Sequence, residues 1–131
     1  ALYRIAPTKL NHDIVVPLGK ILSLVEKLEE ISKAYNTTIA SFGHVGDGNL
    51  HVNLMTNSNE PILYEKAMKG VDCLFNEVLS LRGSISGEHG IGLTKKGWLP
   101  KQLSTATLST MRQVKDCFDP MGIMNPGKIF L

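Results

Sequence analysis

The stretch TTIASFGHVGDGNLHVNLMT, residues 37–56, decides how this chain folds and where its chemistry sits. Thr37 to Phe42 is rich in β-formers, and Asn49 to Thr56 alternates, with Leu50, Val52 and Leu54 opposing His51, Asn53 and Met55. Two such strands joined by a short glycine-rich link form an antiparallel hairpin. Residues equidistant from a hairpin's centre face one another, and a centre between Asp47 and Gly48 sets His44 opposite His51. Opposed side chains have Cβ atoms about 4.5–5.5 Å apart, close enough for two imidazoles to reach one ion. Gly46 and Gly48 are expected to supply positive φ, and Asp47 to hydrogen-bond the loop backbone or support a histidine. If Leu50, Val52 and Leu54 face helices, His51 and Asn53 share the other, polar face. A plain hairpin that happens to expose two histidines fits the same residues.

Working outward, Asp13 to Pro17 (DIVVP) reads as a strand closed by proline. From Leu18 to about Tyr35, apolar residues recur at Ile21, Leu24, Val25, Leu28 and Ile31, a helical spacing, with Asn36 as C-cap. After Asn57-Ser58-Asn59 a second helix starts at Pro61 and runs to about Leu81, carrying Ala67, Val71, Leu74, Phe75 and Val78 on one face. Gly83 stops it, Ser84-Ile85-Ser86 is extended, and a last helix runs from a Ser104 cap through Leu108, Met111, Val114 and Phe118 to Asp119-Pro120. The order β-α-β-β-α-β-α predicts a single α+β domain over residues 1–131. Its mostly antiparallel sheet is covered by helices on one face, in a ferredoxin-like or split β-α-β plan with an extra C-terminal helix.

With 131 residues, 43% hydrophobic and 20% charged, the chain has a globular composition. A net charge of +2 from scattered basic residues, densest at Lys95-Lys96, argues against nucleic acid as a partner. No apolar run approaches the about 18 residues that a membrane span requires. Cys73 and Cys117 fall in predicted helices without CxxC spacing, so they are expected to be buried free thiols, which favours a reducing compartment. The start at Ala1 rather than Met suggests a processed or excised piece.

A second motif, GSISGEHGIG at residues 83–92, flanks Glu88-His89 with glycines. In extended backbone, adjacent side chains point in opposite directions, so Glu88 and His89 should do different jobs. Glu88 joined to His44 and His51 makes a two-histidine, one-carboxylate set with open positions, as in catalytic zinc and non-haem iron sites. His89 is then a candidate base beside the metal. A glycine-rich turn carrying a solvated Glu-His pair is the plainer reading. GxSxG, GxxxxGK[ST] and GxGxxG are absent, so neither a nucleophile elbow nor a phosphate cradle is indicated. His12 reads as incidental, and Asp72 and Glu77 as a solvated helix face.

GHVGDGNLH, SISGEHGIG and FDPMGIMNPGKIF, in this order and at these separations, resemble the C-terminal domain of FAD-linked oxidases. These are the glycolate oxidase D-subunit, D-lactate dehydrogenase and D-2-hydroxyglutarate dehydrogenase group of vanillyl-alcohol-oxidase-like flavoproteins. The resemblance covers roughly Asp13 to Phe130 and implies oxidation of a small 2-hydroxy acid, glycolate or D-lactate in type, to the 2-oxo acid by hydride transfer to FAD. It implies that His44, His51 and Glu88 hold a divalent metal, commonly zinc, against the substrate hydroxyl and carboxylate. It further implies His89 as general base, Asn53 as a substrate contact and Asn125 as a residue near the flavin. The large FAD-binding domain of such enzymes is missing here, and Arg4 and Lys9 are poor substitutes for its carboxylate clamps. The chain is therefore expected to be a C-terminal fragment, inactive alone. Its parent would pass electrons to a quinone or an electron-transfer protein, in the cytoplasm, at the inner membrane's periphery, or in mitochondria for a eukaryote. Two other classes stay open: a stand-alone metal- or ligand-binding module, and a metal-dependent hydrolase with Glu88 as base, which would be left one protein ligand short.

Overall fold

The computed structural model describes residues 6–130, so Arg4 lies outside the described residues. The chain divides into two compact units, residues 1–88 and 89–131. In the first, β1 (Thr8–Val15), α1 (Ile21–Tyr35), β2 (Ile39–His44), β3 (Asn49–Thr56) and α2 (Pro61–Ser80) follow one another. The three strands form an antiparallel sheet in the order β1-β3-β2. A single antiparallel bridge from Val15 to Ser84 adds the last piece at the β1 edge. The expected fourth strand is thus reduced to one bridge, yet it sits where a split β-α-β plan puts it, and the α+β architecture holds.

Strand β1 begins five residues earlier than the DIVVP segment predicts, because Thr8 to His12 pair with Val52 to Thr56 of β3. Backbone pairing with a central strand outweighs the weak β-propensity of Lys9 and Asn11. Helix α1 ends as predicted at Asn36, whose φ of 49° and ψ of 48° are left-handed, with Thr37 N–H donating to Ser32 C=O at 3.1 Å. Pro61 occupies the first turn of α2.

Leu50, Val52 and Leu54 are buried on the sheet face that the helices cover, together with Leu24, Leu28 and Ile31 of α1 and Val71, Leu74, Phe75 and Val78 of α2. Gly70 permits this approach: a Cβ there would stand 3.0 Å from Leu54 Cδ2. His12 lies within this core, its ring edge-to-face with Phe75 at 5.0 Å between centroids. Alternation then puts Asp13, His51, Asn53, Phe42 and His44 on the opposite face.

The second unit contains α3 (Leu99–Gln102), which the sequence reading missed, and α4 (Thr105–Phe118). The Ser104 hydroxyl caps α4 as predicted, accepting from Thr107 N–H at 3.1 Å. None of the α4 residues is fully buried, and Val114 and Phe118 are exposed, so its apolar stripe is not a core stripe. Cys73 is half-buried and Cys117 exposed, both as free thiols, which corrects the expectation that both are buried. Asp119 is more than a helix stop. Its buried carboxylate pairs with Lys115 and accepts from Ile123 N–H at 2.9 Å and Met124 N–H at 3.0 Å, shaping the turn after α4.

Candidate metal centre

The hairpin link is four residues long, a 3-10 turn over Val45–Asp47 closed by Gly48 in left-handed conformation. Its centre therefore falls between Gly46 and Asp47. The register pairs His44 with Asn49 and Phe42 with His51, which corrects the direct pairing of the two histidines. His44 is instead the diagonal neighbour of His51 on the same face, a relationship that still lets long or ring side chains meet. The imidazole centroids are 6.2 Å apart at 77°.

Only Gly48, at φ 71°, uses positive φ; Gly46 does not, contrary to expectation. Gly48 is also sterically obligatory, since a Cβ would stand 2.1 Å from Val16 C=O, and its own carbonyl accepts from Val16 N–H at 3.0 Å. Gly43 is required for a related reason: its Cβ would fall 2.3 Å from Asn49 C=O across the hairpin. Asp47 is exposed and makes no hydrogen bond to the loop backbone among the described residues, so the predicted Asx turn does not form.

Glu88 reaches the same face from the segment after α2. One ligand atom each from His44, His51 and Glu88 lies within 4.8 Å of the others. His51 Nε2 approaches Glu88 Oε1 to 3.4 Å. Ligands about 2.0–2.1 Å from a tetrahedral zinc ion lie about 3.4 Å apart, so that edge already has the right length. His44 and Glu88 are exposed, and rotation about their side-chain bonds can close the rest. Two imidazoles and one carboxylate with open positions is a donor set suited to zinc or another divalent transition metal.

Two residues at this site escaped the sequence reading. Phe42 is 55% exposed, with its ring 5.5 Å from that of His51. Asp13 is fully buried beside His51, and its Oδ2 accepts from the N–H groups of Gly87 and Glu88 at 2.8 and 2.5 Å. An acid at the head of the apolar run Ile14-Val15-Val16 is the available signal, obscured because DIVVP reads first as a strand start.

Asn53 follows two residues after His51 on the same face and is completely buried. Its Nδ2 donates to Ala40 C=O at 3.2 Å and His51 C=O at 3.4 Å. Its Oδ1 has no hydrogen-bond partner among the described residues. His89 opens the second unit and is exposed, as is Asn125, which takes a φ of 49° in the turn that carries it. Lys9 lies half-buried on β1.

Comparison with known proteins places the chain in a family. The family described as FAD linked oxidases, C-terminal domain, matches residues 1–129. The chain is 36% identical over 130 residues to the glycolate oxidase subunit GlcD of Bacillus subtilis (strain 168), covering 99% of this chain and 28% of that protein. It is 39% identical over 127 residues to a D-2-hydroxyglutarate dehydrogenase of Stutzerimonas stutzeri (strain A1501), covering 94% and 27%. A D-lactate dehydrogenase of Anaerostipes hadrus is 37% identical over 118 residues, covering 89% and 25%. The chain spans about a quarter of the length of these relatives. A hairpin that gathers two histidines, a carboxylate delivered beside them, and a match over nearly every residue lead to one conclusion: the chain belongs to the FAD linked oxidases, as their C-terminal domain.

Proposed function

We propose that the complete protein oxidises a small 2-hydroxy acid, of the glycolate or D-lactate type, to its 2-oxo acid, and that this chain forms the metal-bearing, substrate side of the site. The observation that carries the proposal is the convergence of His44, His51 and Glu88 within 4.8 Å on one sheet face. These three residues would hold a divalent metal, zinc by preference. When bound, that ion supplies Lewis acidity that lowers the pKa of a coordinated hydroxyl. FAD, bound mainly by the remainder of the protein, supplies the hydride acceptor. Its reduced form would then be reoxidised by a quinone or an electron-transfer protein.

This chain's own residues would bind, orient and deprotonate. His89 is joined directly to Glu88, so its Cα stays about 3.8 Å from that of the ligand residue. An imidazole nitrogen of His89 takes the substrate's hydroxyl proton as the C2 hydrogen departs as hydride, which leaves the C2=O of the product. Burying an amide oxygen without a partner costs about 1–3 kcal/mol, and the Asn53 Oδ1 would recover that by accepting from substrate once the groups that cover it move aside. Asn125, on an exposed turn of the second unit, would approach the flavin. Among the described residues no helix is long and apolar enough to cross a membrane. The cytoplasm, or the mitochondrion in a eukaryotic host, is the compartment proposed.

The test is turnover of glycolate and D-lactate by the complete protein with an artificial electron acceptor, before and after chelation. Chelation should abolish 2-oxo acid formation, and Zn²⁺ should restore it in wild type but not in His51→Ala. Full turnover by His51→Ala with unchanged metal content would remove the proposal. Zinc binding without flavin absorbance or turnover would return the chain to a stand-alone binding module.

A further inference from the structure

We infer that Asp13 is a positioning residue for the Glu88 ligand, acting through the loop backbone. The inference rests on the metal-site reading above. Asp13 pairs with His51 across β1 and β3 and is fully buried. Three donors from one tripeptide converge on its Oδ2: Glu88 N–H at 2.5 Å, Gly87 N–H at 2.8 Å and the Ser86 hydroxyl at 3.5 Å. Hydrogen bonds to an ionised carboxylate are shorter and roughly twice as strong as neutral ones. A buried acid is expensive unless such donors hold it. Here all three belong to the segment that delivers the carboxylate ligand.

The same segment is seated from the other side by Asn49. A Cβ on Gly87 would stand 2.8 Å from Asn49 Oδ1 and 2.9 Å from its Cγ and Nδ2, so any larger residue would have to push the Asn49 amide or the loop aside. Asp13 on β1 and Asn49 on β3 thus set the height of the Glu88 Cα above the sheet. The Glu88 side chain itself is 56% exposed. A ligand must be held within about 0.5 Å of its productive position, and a fixed backbone is the means available to an exposed carboxylate. Asp13 is not itself a fourth ligand of the cluster: it is not among the residues whose donor atoms converge, and its Oδ2 is occupied by the loop.

The experiment compares wild type, Asp13→Asn and Asp13→Ala in the complete protein, with thermal unfolding as the folding control. Zn²⁺ affinity should fall about 10–100-fold in Asp13→Ala, the range seen when residues supporting a metal ligand are lost. Asp13→Asn keeps an acceptor oxygen and should recover part of that loss. The absorption spectrum of the Co²⁺-loaded protein should change in both, because the carboxylate moves relative to the two imidazoles. In the metal-free protein, amide hydrogen exchange at Gly87 and Glu88 should be at least 10-fold faster in Asp13→Asn than in wild type. Folded variants with wild-type Zn²⁺ affinity and Co²⁺ spectrum would overturn the role of Asp13. If wild type itself binds Zn²⁺ no better than His51→Ala, the metal reading fails instead. The amide exchange then decides alone, with unchanged exchange refuting the clamp. Should Asp13→Ala not fold, the Asn variant and the exchange measurement carry the test.

Discussion

His51 Nε2 stands 3.4 Å from Glu88 Oε1, although the two residues come from a sheet strand and from the segment beyond α2. A bound ion would bridge that gap, so removing either group should cost Zn²⁺ affinity more than losing a supporting residue, by over about 100-fold. Zn²⁺ at about 100 times its dissociation constant should stabilise the wild-type fold by about 2.7 kcal/mol. Calorimetry with and without Zn²⁺ should find that gain absent in His51→Ala and Glu88→Ala. An equal gain in the variants would exclude both as ligands.

The three glycines of the hairpin should behave differently. Gly43→Ala would press its Cβ against Asn49 C=O, and Gly48→Ala would add left-handed strain to a clash with Val16 C=O. The strain alone costs about 1–2 kcal/mol, which for a unit of this size lowers Tm by about 4–16 °C. Gly46→Ala meets nothing within 4 Å and has an ordinary φ, so it should melt close to wild type. Equal melting of all three variants would refute the observed turn.

Acid should loosen the turn after α4. The Lys115 ammonium holds the Asp119 carboxyl below its ordinary value, helped by the N–H groups of Met124 and Ile123. A carboxyl whose folded-state pKa is depressed stabilises the fold fully above its unfolded value, about 3.9. That stabilisation is lost as pH falls through the lower, folded value. Protection of the Ile123 and Met124 amides, measured against intrinsic exchange at each pH, should therefore fall below about pH 4. In Asp119→Asn this pH dependence should be absent; its persistence would assign the effect to another group.

Phe75 should be among the costliest core positions. It is fully buried and packs edge-to-face on His12. Phe75→Ala should destabilise by about 3–5 kcal/mol, and Phe75→Leu by less, since more of the volume is kept. Denaturant melts would check both, and a loss below about 1 kcal/mol in the alanine variant would contradict the packing.

Much of the first unit was legible because its patterns are local. The alternation of Asn49 to Thr56 reproduced β3 residue for residue and assigned His51 and Asn53 to the face away from the helices. The Asn36 and Ser104 caps held because each satisfies backbone groups within a few residues of itself. The hairpin register did not hold. It depends on how many residues the turn consumes, and Val45 to Asp47 took a 3-10 conformation that moved the centre by one residue. Because side chains alternate with a period of two, the resulting shift in pairing kept both histidines on one face and changed a direct pair into a diagonal one.

What the sequence by itself determined is therefore the residue inventory and the faces: two histidines around a glycine turn, a carboxylate among glycines, and apolar stripes that bury one side of a sheet. Tertiary structure alone decided the distances. Asp13 and Glu88 are separated by 75 positions, and no periodicity links them. Their hydrogen bond exists because β1 pairs with β3 while Gly83 and Gly87 let the later segment lie close against Val15 and Asn49. Contacts of that range follow from backbone pairing and close steric fit, which only the assembled fold contains.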